Sequence, residues 1–88
     1  MDNKQLYFKL QESIFNLAED IYRSTPVNKR NSVFESLLKP IVDEFNKLAE
    51  QLPIDFYSNS DIDSFKTQRN TINNLISIAE NSIKKLKR

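Results

Sequence analysis

The chain has 88 residues, 13 basic and 12 acidic side chains, a net charge of +1, and no Gly, Cys, His or Trp. These absences exclude imidazole acid–base catalysis, thiolate nucleophiles, zinc sites built on Cys or His, and every glycine-built phosphate loop. The length predicts one domain, residues 1–88, that buries about 64% of its unfolded surface around one modest core. Apolar runs are too short for the ~20 residues a membrane span needs. Met1–Tyr22 lacks the unbroken apolar stretch of a secretory signal, so the expected location is cytoplasmic. Missing glycine also argues against tight hairpins and predicts an all-α chain.

The first predicted helix runs from about Asn3 to Arg23. Tyr7, Leu10, Ile14, Leu17 and Ile21 alternate steps of three and four residues and mark one buried face. Phe8, Phe15, Ala18 and Tyr22 form a second stripe beside it. Together they predict a helix packed against two neighbours, and their width also fits burial against a second copy. Ser24-Thr25-Pro26 ends the segment, with Thr25 as the expected N-cap of the next helix and Pro26 at its first position.

The second helix is expected from about Pro26 or Ser32 to Leu52. Ser32-Val33-Phe34-Glu35 has the spacing of a capping box. The apolar positions Phe34, Leu37/Leu38, Ile41, Phe45, Leu48/Ala49 and Leu52 keep one phase straight through Pro40. A missing donor at Pro40 must bend or break the helix, and the unbroken phase favours one kinked helix. Pro53–Ser60 reads as a loop holding Ile54, Phe56 and Tyr57.

The third helix is expected from an N-cap at Ser60 or Asp61 to about Leu86. Ile62, Phe65, Ile72, Ile76, Ala79, Ile83 and Leu86 share one face, with Arg69 as a polar exception. Lys84, Lys85, Lys87 and Arg88 suit the negative end of its dipole. The expected fold is an antiparallel three-helix bundle, or a four-helix one if the chain breaks at Pro40 or near Lys66–Thr71.

Carboxylates remain as candidate acid–base groups, and Glu12, Glu19, Asp43, Glu44 and Glu50 fall mainly off the apolar stripes, where they solvate the surface. The chain therefore reads as non-enzymatic, with no cofactor and no metal. Net charge is −1 over residues 1–24, zero over 25–52 and +2 over 53–88. No basic stripe runs along a helix, so direct nucleic-acid binding is not the leading expectation; a small nucleic-acid-binding regulator stays as an alternative. The loop aromatics Phe56 and Tyr57 have two readings, a plug in the end of the bundle or an exposed anchor for a partner protein. Lys29 and Arg30, in the other connection, supply a charged rim. These four residues are the candidate partner-binding site.

Pro26-Val27-Asn28-Lys29-Arg30, followed by Leu37-Leu38-Lys39, Val42 and Phe45, resembles the middle of small, all-helical type II-C anti-CRISPR proteins, whose total length is similar. The resemblance implies an inhibitor from phage that binds Cas9 and stops it acting on DNA. In size and helicity the chain is also similar to bacteriocin immunity proteins, a likeness at the level of the fold. The expected function is a protein-binding helical bundle that inhibits its partner. Cas9 is the first candidate partner, and bacteriocin immunity is the alternative role.

Overall fold

The computed structural model describes residues 2–58 and 63–87. Every regular element among them is helical, and no helix is long and apolar enough to cross a membrane. The helices are α1 (Asn3–Ser24), α2 (Arg30–Val33), α3 (Lys39–Gln51) and α4 (Lys66–Leu86), with a π-helical turn at Phe34–Leu38 and 3₁₀ turns at Val27–Lys29, Ile54–Tyr57 and Asp63–Phe65.

Asp2 starts α1. Its carboxylate accepts from the Gln5 N–H at 2.7 Å, and the Asp2 N–H donates to Gln5 Oε1 at 3.2 Å. This reciprocal pair satisfies two of the helix's orphan donors. Proline ends the helix. A residue before Pro is pushed out of the α region, and Thr25 duly sits at φ −117°, ψ 131°, its N–H closing on Ile21 O at 3.1 Å. Leu52, before Pro53, ends α3 the same way at φ −70°, ψ 126°. Among the described residues no backbone has a positive φ. Without glycine the chain turns its corners on an extended residue, a proline and a 3₁₀ turn.

This corner chemistry corrects two expected caps. Thr25 caps the end of α1, not the start of the next helix, and Ser32 lies inside α2. The 3₁₀ turn after Pro26 supplies carbonyls instead. Lys29 N–H donates to Pro26 O at 2.9 Å and Arg30 N–H to Val27 O, so no side-chain cap is needed. The expected caps Ser60 and Asp61 lie outside the described residues. α4 follows the Asp63–Phe65 turn without a side-chain cap and runs unbroken through Lys66–Thr71.

At Pro40 the backbone stays right-handed and helical. The turn before it widens, so that Lys39 N–H reaches Phe34 O five residues back. A π turn is how a helix absorbs a missing donor and a ring that collides with the preceding turn. Ser36 Oγ donates to Ser32 O at 2.9 Å and Val33 O at 3.3 Å, which binds the widened turn to α2. Residues 30–51 thus behave as one helical arm, and the described residues form three such arms.

α1 and α4 form the most extensive interface. Leu6, Leu10, Leu17 and Ile21 of α1 meet Ile72, Leu75, Ile76 and Ala79 of α4 in one core with Ile41, Leu48, Phe56 and Phe65. Asp20 and Lys87, each near the end of its helix, pair at 4.0 Å. At the other end Phe56 fills the gap between the arms. Its ring stands edge-on to Phe65 at 5.4 Å and to Tyr57 at 5.6 Å; Tyr57 meets Tyr7 at 5.3 Å, and Tyr7 meets Phe45 at 5.5 Å. Five rings therefore link α1, α3, the Ile54–Tyr57 turn and the segment leading into α4. Asn3, fully buried, donates from Nδ2 to Phe56 O at 3.1 Å and fixes the turn against the start of α1.

Two predictions follow from this end of the molecule. Phe56→Ala should lower unfolding free energy by roughly 3–5 kcal/mol, a large part of the total for a chain this size, read by urea denaturation. A loss below about 1 kcal/mol would show that the ring is not the plug. Tyr7 has its hydroxyl pKa raised above 10.0 by burial, then by the charge of Tyr57 and a hydrogen bond with it. The folded state therefore holds this proton more tightly than the unfolded chain. The resulting stability is complete below the unfolded pKa and is lost as pH climbs through the folded one. Urea midpoints measured up the alkaline range should fall, and Tyr7→Phe should fall less steeply.

Candidate functional site

The four residues expected to form one binding site lie at opposite ends of the molecule. Lys29 and Arg30 sit at the corner after α1, while Phe56 and Tyr57 pack beside Asn3 and Tyr7 at its start. The length of α1, about 30 Å, separates them.

Phe56 is 0% exposed, so of its two expected readings it is the plug of the core and not the anchor. Ring contacts with Phe65 and Tyr57 in a small core outbid the solvent-facing position that a loop usually offers. Tyr57 keeps 38% of its surface beside Ile54, which is 95% exposed. Tyr57 is still spent mostly on the ring cluster, being edge-on to both Tyr7 and Phe56.

At the other end Arg30 works within the chain. Its guanidinium lies 4.1 Å from the centroid of the Tyr22 ring, and its Nε donates to Thr25 O at 3.2 Å. These two contacts tie α2 to the end of α1 across the Pro26 corner. Lys29 is exposed, and Val27 beside it keeps 76% of its surface. The corner thus presents an apolar side chain and a cation to solvent.

The surface that sequence reasoning assigned to packing is α1's second stripe. Phe8, Phe15 and Tyr22 are 53%, 63% and 58% exposed. On a helix with 100° per residue they fall on the side opposite Leu6, Leu10 and Leu17, so both neighbouring arms lie behind them. The seven-residue steps place the three rings in a line about 21 Å long. Lys4 Nζ stands 6.0 Å from the Phe8 centroid at one end, and Arg30 covers Tyr22 at the other. Ala18, in the same stripe, is half-buried. Hydropathy reveals that a face is apolar but not what covers it, which is why the stripe read as core. Gln11, Glu12 and Glu19 beside it were the available signal, since a face sealed between two helices seldom has such neighbours.

Other features are shallower. A cleft of about 510 Å³ between α1 and α4 is lined by Phe8, Lys9, Glu12, Ser13, Glu80 and Ile83 among others, and a second of about 520 Å³ by Lys9, Asp63, Lys66 and Arg69 with two Asn side chains. Both are open grooves of mixed charge rather than enclosed chambers. Among the described residues no three His, Cys, Asp or Glu side chains gather where they could hold a metal ion. No protein-family model, curated protein or solved structure matches the chain.

The corner yields its own prediction. Arg30→Ala should cost about 1–2 kcal/mol, the sum of a cation–π contact and one hydrogen bond, in urea denaturation. Arg30→Lys should recover less than half of it, because an ammonium cannot stack flat on Tyr22 while donating to Thr25 O. Full recovery by Lys would mean that only the charge matters.

Proposed function

We propose that this chain is a non-enzymatic protein-binding module, an antiparallel three-helix bundle that inhibits a partner protein by occupying part of its surface. The observation that carries this reading is the line of exposed rings on α1, which continues past Tyr22 to Val27 and Lys29 at the corner. Aromatic side chains bury much area at little entropic cost and dominate the energetics of protein interfaces. Phe8 and Phe15 leave most of their rings in solvent and Tyr22 is covered in part by Arg30, so the line offers exposed apolar surface of the kind that marks an interaction site. The antiparallel order is supported by the pairing of Asp20 with Lys87 and of Tyr7 with Phe45, which fits arms running up, down and up.

The partner within this reading is a type II-C Cas9, supported by the resemblance of Pro26 to Arg30 with Leu37-Leu38-Lys39, Val42 and Phe45, and of these Pro26 to Arg30 are the contact segment. They form the corner at the end of the aromatic line, with Val27 and Lys29 outward and Arg30 holding the corner rigid. A rigid corner loses little freedom on binding.

The test is a DNA-cleavage assay with a type II-C Cas9 and its guide, with complex formation followed by gel filtration. The expected result is at least tenfold slower cleavage at excess inhibitor and a co-eluting complex. Val27→Glu with Lys29→Glu should weaken both while leaving the helical circular dichroism unchanged. Unaltered cleavage and no complex would reject Cas9 as the partner. A complex that forms equally well with the double variant would reject the corner.

A further inference from the structure

We draw no further inference here: the strongest candidate, the cleft between the first turns of α1 and α4 lined by Lys9, Lys66, Arg69 and Asp63, is an open groove of mixed charge at the N-terminus of α4, and nothing among the described residues shows what ligand would fill it.

Discussion

Phe56 is the side chain on which the arrangement of the three arms depends. It sits in a single 3₁₀ turn, yet its ring touches rings on both sides and its carbonyl is held by Asn3 at the start of α1. A chain of this size has little core to spare and, without Cys, no disulfide to substitute for it. Filling the end of the core with an aromatic from the connecting turn closes the bundle without lengthening any helix. The arms can then be held by side-chain packing alone, with the ion pairs on the surface contributing little.

That closure divides the aromatic residues into two sets with different tasks. Tyr7, Phe45, Phe56, Tyr57 and Phe65 face one another inside or at the rim of the core. Phe8, Phe15 and Tyr22 face away from it on the same helix that supplies Tyr7. One residue step along α1 separates Tyr7 from Phe8, a rotation of 100°, and that rotation decides whether a ring faces the core or the solvent. The opposite end of the molecule follows the same economy. Arg30 fastens the corner through Tyr22 and Thr25, and this leaves Val27 and Lys29 as the outward side chains there.

Much of the helical plan is legible in the residues. Leu10, Leu17 and Ile21, then Ile41 and Leu48, then Ile72, Ile76 and Ala79, are core positions that the three- and four-residue spacing marks directly. Pro26 and Pro53 mark the corners because the residue before each is barred from the helix. The response to Pro40 is not legible. Residue spacing does not show whether the helix kinks or widens, and the choice depends on whether Lys39 N–H can reach Phe34 O. Capping at Ser32 failed because a 3₁₀ turn offered backbone carbonyls first. The candidate site was legible only in its residue types. Spacing could not reveal that Phe56 points inward, because a loop residue has no periodicity. Nor could it tell that Phe8 and Phe15 point outward, since an apolar stripe looks the same whichever molecule covers it.

The division between inward and outward rings is the centre of this account, and fluorine NMR of the chain labelled with 4-fluorophenylalanine reads it most directly. Six Phe residues give six probes. The account predicts that the Phe8 and Phe15 resonances respond to a soluble paramagnetic agent in dilute solution, while the Phe56 resonance does not. A Phe56 signal open to the agent, or Phe8 and Phe15 signals protected from it in dilute solution, would contradict the account.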